Sequence, residues 1–149
     1  MIAKALEPGA SRSFFVILEQ GDEVMESLKS FAVEHGIEAA RFSGIGALRE
    51  VTVAFFKAGE EKSREILLDE QVQVLSCMGT IGVSESGDPV VHAHLVLSLI
   101  DGHARGGHLL SGKVRPKLEL VVLELPGALH RREEDATGVP WMDMEEAGS

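Results

Sequence analysis

Four of the chain's six histidines fall within residues 90–112, VVHAHLVLSLIDGHARGGHLLSG. Neutral imidazole is the commonest protein ligand for transition metals, so their spacing is the first thing to examine. The residues around His92 and His94 are branched and apolar, which suits a strand. Side chains on a strand alternate faces, so His92 and His94 point the same way. Two imidazoles at i and i+2 can begin a metal site. A third ligand must come from another element.

His108 is the candidate. Asp101-Gly102 is a strong hairpin signal. A strict two-residue turn would pair Ile100 with His103 and set His108 opposite Leu95, on the wrong face. A three-residue loop, or a bulge at Gly106-Gly107, would set His108 opposite Val96 instead. It would then share a face with His94 and lie diagonally across from it, about 7–8 Å away at the backbone. Adjacent glycines accept a bulge at low cost. His103 falls in the turn, is expected to face solvent, and stays outside the triad.

Three neutral histidines suit Zn²⁺ at metal–nitrogen distances of roughly 2.0–2.1 Å. Other divalent ions of iron, nickel or copper fit the same ligands. Three protein ligands leave one coordination position open, which is more typical of a catalytic than of a structural site. The competing reading of HAHLVLS is an ordinary strand with two half-exposed histidines. HxH alone favours that reading, and a third histidine on a compatible face brings the two level. No further residue completes a catalytic constellation. Arg115 and Glu119, on or near the following strand, are candidates to reach the site, although exposed strand positions are the plainer reading. Ser43, Gly44 and Gly46 are read as a turn that either lines a pocket or subunit interface or serves turn geometry alone.

The elements that must position these residues follow from the rest of the chain. Arg12–Glu19 is β-rich and bounded by turn residues. In GDEVMESLKSFAVEHG, Val24, Leu28, Phe31 and Ala32 follow helical spacing. Asp22 is the expected N-cap, Gly36 the stop, and His35 an exposed helix-end residue. Gly44 and Gly46 break the pattern before the strand VTVAFF. REILLDEQ, VQVLSCMGTIGV, Val90–Leu99, HLLSGKV and LELVVLEL read as further strands. One helix and about seven strands joined by short turns predict an α+β fold with a mostly antiparallel sheet, because short connections cannot make parallel crossovers.

Composition narrows the function classes. The 149 residues suit one domain, with 44% hydrophobic and 26% charged residues, both ordinary for a globular protein. No apolar run is long enough to span a bilayer and no signal-peptide pattern opens the chain, so a cytoplasmic protein without a membrane partner is expected. The single cysteine, Cys77, excludes an internal disulfide and is read as a buried strand residue. Net charge is −10, of which the polar stretch from Pro126 contributes only part. An acidic body disfavours non-specific attraction to nucleic acid phosphates.

The combination HAHLVLS, DG and GGHLLSG resembles the PPC (plants and prokaryotes conserved) domain in its stand-alone prokaryotic form. Further segments resemble the family in the same order: FFVILEQGDEVMESLKSFAVEHGI, RFSGIGALREVTVAFF, EQVQVLSCMGTIG and KVRPKLELVVLEL. Residues 10–126 make up the expected domain and 127–149 a polar, acidic tail. The resemblance implies an antiparallel sheet with a flanking helix, a homotrimer, and metal binding in some prokaryotic members through histidines that fall on His92, His94 and His108. The family fold is similar to that of acetolactate decarboxylase, a metal-dependent lyase that also uses three histidines.

The family is commonly labelled DNA-binding. Plant members carry an AT-hook with an Arg-Gly-Arg core, which this sequence lacks. Arg131-Arg132 is its only adjacent basic pair, is followed by Glu133-Glu134-Asp135, and is read as a solvated tail. Lys113, Arg115 and Lys117 alternate along GKVRPKL and would share a strand face as a nucleic-acid patch. Net charge and the missing hook disfavour that use.

Overall fold

The computed structural model describes residues 2–7, 11–57, 63–133 and 140–142. In chain order it contains β1 (Ile2–Glu7), β2 (Ser13–Glu19), α1 (Val24–His35), β3 (Ala40–Phe55), β4 (Arg64–Leu68), β5 (Val72–Val83), β6 (Pro89–Ser98), β7 (Ala104–Glu124), β8 (Arg131–Glu133) and β9 (Pro140–Met142). The first seven strands form one sheet in the order β1-β2-β7-β6-β5-β3-β4. All its ladders are antiparallel. β8 and β9 form a separate two-stranded ribbon.

β3 also pairs with β7, from Ala40↔Glu124 to Ala54↔His108, so β3, β5, β6 and β7 make a closed circuit of pairings. Three register shifts interrupt the β3–β7 ladder, and Glu50 takes φ 52 within one of them. Bulges of this kind bend a strand and increase its twist, which lets one long ribbon meet both sides of the β5–β6 hairpin.

Two strand expectations change here. SGIGAL is not a turn: Ser43, Gly44 and Gly46 lie inside the 16-residue β3. Their glycines are required by proximity. A Cβ on Gly44 would sit 2.3 Å from the Glu119 carbonyl oxygen, and one on Gly46 2.3 Å from that of Lys117. Likewise HLLSGKV and LELVVLEL are one 21-residue strand that continues through Arg115-Pro116, whose peptide bond is cis.

Strand alternation sorts the core. Phe14, Val16 and Leu18 of β2, Val91, Ala93, Leu95 and Leu97 of β6, and Leu118, Leu120 and Val122 of β7 are buried. α1 lies over β6 and β7 and buries Val24, Leu28, Phe31 and Ala32. Fully burying such a side chain stabilises the fold by about 1.5–3 kcal/mol. The N-cap is Glu23 rather than Asp22. Its carboxylate accepts from the Glu26 N–H at 2.8 Å and from the Gly112 N–H at 2.9 Å, so it caps the helix and ties it to β7 together. Asp22 instead closes the preceding turn by accepting from the Glu19 N–H. Gly36 ends the helix in the left-handed region at φ 60. His35 is half-buried rather than exposed, with its ring 5.0 Å from that of Phe14 and 4.6 Å from that of Phe31. Among the described residues, no helix is long and apolar enough to cross a membrane.

Candidate metal centre

The inward residues of β6 are apolar, and its outward residues include His92, His94 and Val96. The β6–β7 hairpin turns through Ile100-Asp101-Gly102. The Gly102 N–H donates to the Leu99 carbonyl at 3.0 Å, and the Leu99 N–H donates to the His103 carbonyl at 2.9 Å. Gly102, at φ 81, supplies the left-handed residue that a three-residue loop needs. The loop is therefore three residues long, as the parity of the histidines required. It is centred one position earlier than the Asp101–His103 placement that would set His108 opposite Val96. His108 thus lies directly opposite His94.

No bulge occurs at Gly106-Gly107, because the β6–β7 ladder runs unbroken from Ser98↔Ala104 to His94↔His108. These glycines serve close approach instead. A Cβ on Gly106 would lie 2.4 Å from the Leu95 carbonyl oxygen, and one on Gly107 2.9 Å from that of Ala54. His103 is exposed, and its Nδ1 lies 2.9 Å from Asp101 Oδ2.

One nitrogen from each of His92, His94 and His108 lies within 4.8 Å of the others. His92 Nε2 and His94 Nε2 are 3.2 Å apart. A tetrahedral ion with metal–nitrogen bonds of roughly 2.0–2.1 Å separates its ligand atoms by about 3.3–3.4 Å. The pair is therefore already at coordination spacing, and the donor set fits a divalent transition metal. The rings stand 4.9–5.3 Å apart by centroid. Phe56 meets the His108 ring edge-on at 5.5 Å and covers one side of it.

The surroundings of His92 and His108 favour their neutral forms. Burial, followed by the positive charge of Arg131 and the neighbouring imidazoles, pushes His92 down to about 4. Burial, then His94 and Arg131, lowers His108 as well. Neutral imidazole is the form that binds metal.

Arg131 was expected in a solvated tail, and the structure corrects this. It is 5% exposed and donates from Nη2 to the Thr80 hydroxyl at 2.5 Å. Thr80 faces His92 across the β5–β6 ladder. The segment before Arg131 is laid against β5: the Val83 N–H donates to the Leu129 carbonyl at 2.8 Å, and Val83 bridges His130. Thr80, Arg131 and Phe56 are site neighbours that sequence reasoning missed. Only the chain's return past β5 brings Arg131 there, and no local pattern signals it.

The other candidate residues lie apart from the triad. Ser43, Gly44 and Glu119 line a shallow depression with Phe15, Met78 and Val121. Gly46 and Glu119 line an adjoining one with Lys117 and Pro116. Neither depression is lined by a triad histidine. Lys113, Arg115 and Lys117 are all exposed, and Lys113 Nζ is 2.6 Å from Glu50 Oε2. Neither Arg115 nor Glu119 is among the charges acting on His92 and His108. Cys77 is buried, and burial raises its thiol to about 11, which leaves it inert.

Residues 5–126 match the Plants and Prokaryotes Conserved (PCC) domain. A plant- and prokaryote-conserved (PPC) protein from Pyrococcus horikoshii has a similar structure, with TM-score 0.82, 26% identity and 96% of each chain covered. A metal-containing protein from Archaeoglobus fulgidus gives TM-score 0.80 at 29% identity, over 95% of this chain and 98% of that one. A protein from Bacteroides thetaiotaomicron, described as a candidate DNA-binding protein, gives 0.83 at 25% identity, over 96% and 98%. Among curated proteins, the bifunctional protein GlmU of Synechococcus sp. (strain JA-3-3Ab) is 26% identical over 136 residues. That match covers 89% of this chain but 20% of the relative, so the chain spans about a fifth of that protein's length.

Proposed function

The chain belongs to the plants and prokaryotes conserved domain family, and from that premise we propose that it binds one divalent transition-metal ion, zinc by preference, through His92, His94 and His108. The observation that carries this reading is the 3.2 Å separation of the His92 and His94 Nε2 atoms, with His108 completing the cluster. A relative described as metal-containing supports it. The role that follows is small-molecule binding or metal-dependent chemistry at an open fourth position. When bound, such an ion acts as a Lewis acid toward an oxygen ligand or lowers the pKa of bound water. The protein's part is to hold three neutral imidazoles in place, with β6 fixing two and the hairpin register fixing the third. Phe56 packs its ring against that of His108.

Metal content of the purified protein tests this. About one metal ion per chain is expected, and His92→Ala and His108→Ala should each lose it. Wild-type protein prepared without chelator that is metal-free and takes up no added zinc would overturn the reading.

Self-association into a homotrimer goes with this proposal. Ile45, Leu75 and Met78 are 59%, 56% and 60% exposed on the outer sheet face, which supports an apolar contact surface. Light scattering should give three times the chain mass, and Leu75→Glu should reduce it to one. A monomeric wild type at micromolar concentration would reject the trimer.

DNA association is the second reading. The exposed run of Lys113, Arg115 and Lys117 and the description of one relative favour it. Absence of a mobility shift at low salt, where phosphate contacts are strongest, would remove it.

A further inference from the structure

Strand pairing fixes what lies beside each histidine of the triad. Residues two along a strand share a face and lie about 7 Å apart, and residues directly opposite are closer, about 4.5–5.5 Å between Cβ atoms. On β6, the neighbours of His92 and His94 on their own face are Val90 and Val96, and on β7 Leu110 follows His108. Across the ladders, Met78 stands opposite His94 and Ala54 opposite His108. Phe56 sets its ring edge-on to His108. Thr80, opposite His92, is the polar member of this border, and its hydroxyl accepts from Arg131. The border is therefore apolar, and it is open to solvent: Phe56 is 40% exposed, Met78 60%, Val96 44% and Leu110 36%.

Single exposed apolar residues are ordinary, but several grouped around ligating side chains mark a binding surface. The apolar border also leads somewhere. A groove of about 500 Å³ between the start of α1 and the β6–β7 strands is lined by Met25, Pro89, Val90 and Leu110. The histidines do not line it. Val90 and Leu110 do, and they are the residues next to His92 and His108 on the same face, so they join the groove to the triad.

We infer that the metal centre takes a small amphiphilic ligand, with an oxygen-donor headgroup on the bound ion and an aliphatic body laid over Val90 and Leu110 toward the groove beside α1. This rests on the metal-binding reading above and adds the ligand class to it. The ion fixes the headgroup, and burial of the apolar body supplies most of the discrimination between ligands. Val96 borders the triad on the side away from the groove, so the body does not reach it. Met78 lies where this border meets the Ile45 and Leu75 surface assigned above to self-association.

Cobalt-loaded protein provides the test, because the visible absorption of Co²⁺ responds to a change in its ligands. The full chain would be titrated with acetohydroxamate and with octanohydroxamate, which share a metal-binding headgroup and differ in the aliphatic chain. The longer compound should bind tighter by about tenfold or more. Leu110→Asn should weaken octanohydroxamate by about fivefold or more and leave acetohydroxamate unchanged. Val90→Thr, a nearly isosteric change at the same junction, should act in the same direction. Val96→Asn should leave both affinities unchanged.

Equal affinity for the two hydroxamates, or a spectrum that neither one moves, would overturn the inference. So would discrimination that survives both Leu110→Asn and Val90→Thr, or equal loss of both hydroxamates in those variants, which would mean that the residues support the ligands and not the aliphatic chain. A fall in molecular mass on light scattering of Leu110→Asn would assign this face to a second copy of the chain and overturn it as well. Wild-type protein that binds no cobalt would overturn the metal-binding reading itself, so the two failures are distinguishable.

Discussion

At the scale of single residues, the site depends as much on glycines as on histidines. Gly79 shows this best. A Cβ there would lie 2.2 Å from the His92 carbonyl oxygen and 2.4 Å from Cζ of Phe42. The oxygen belongs to the backbone of His92, so it cannot yield without moving β6. Gly79→Ala should therefore destabilise the fold by about 1–3 kcal/mol, the usual cost of overpacking, and should also weaken zinc binding. Urea denaturation and zinc titration measure the two effects. His103→Ala is the contrasting case. His103 is exposed and its side-chain partner Asp101 is exposed too. The substitution should keep full zinc stoichiometry and change stability by less than about 0.5 kcal/mol. Loss of metal from this variant would contradict the assignment of three ligands.

The histidine triad was legible in sequence because strand parity is a local rule. His92 and His94 share a face whatever surrounds them. His108 joins them if the loop has an odd length. The register itself was not legible: it depends on which residues the turn selects, and Gly102 at φ 81 makes that choice. Arg131 was invisible for a different reason. Its neighbours Glu133, Glu134 and Asp135 suggest solvent, and burial is decided by a return past β5 that leaves no periodic trace.

At the scale of elements, the long strands were the hardest to read. Gly44, Gly46 and Pro116 are ordinary breakers in a local reading. Here the glycines stay in a strand because β7 crosses too close for a Cβ. The helix was readable from its spacing, yet its cap was misplaced by one residue. Two carboxylates stand side by side at Asp22 and Glu23, and only the second also faces Gly112 of β7. Glu23→Ala should cost about 1–2 kcal/mol, since it removes a cap and leaves the Gly112 N–H without its acceptor. Glu23→Asp is expected to restore part of this if its shorter arm still caps the helix. Denaturation midpoints at constant m-value would measure it. A cost below about 0.3 kcal/mol would show that Glu23 does not join helix and sheet.

At the scale of the whole molecule, one ion pair ties the first core strand, the helix end and the last core strand together. Arg12, just before β2, makes hydrogen bonds of 2.7 and 2.6 Å to the two carboxylate oxygens of Glu124 at the end of β7. It also donates to the His35 carbonyl at 2.9 Å, at the negative end of the helix. The hydrogen bond from Arg12 holds the Glu124 carboxyl below its ordinary 4.5. A carboxyl whose pKa is depressed on folding stabilises the native state fully above the unfolded value. That contribution is lost as pH falls from about 4.5 through the lower native value. Glu124→Gln should thus lower stability at pH 7 by about 1 kcal/mol, a figure reduced for the partial exposure of the pair. The difference from wild type should shrink as pH falls below 4.5 and vanish once the native carboxyl is protonated. Urea unfolding followed at a series of pH values reads this directly. A difference that stayed constant from pH 7 into the acid range would mean that packing around Glu124, and not its charge, holds the two strand ends together.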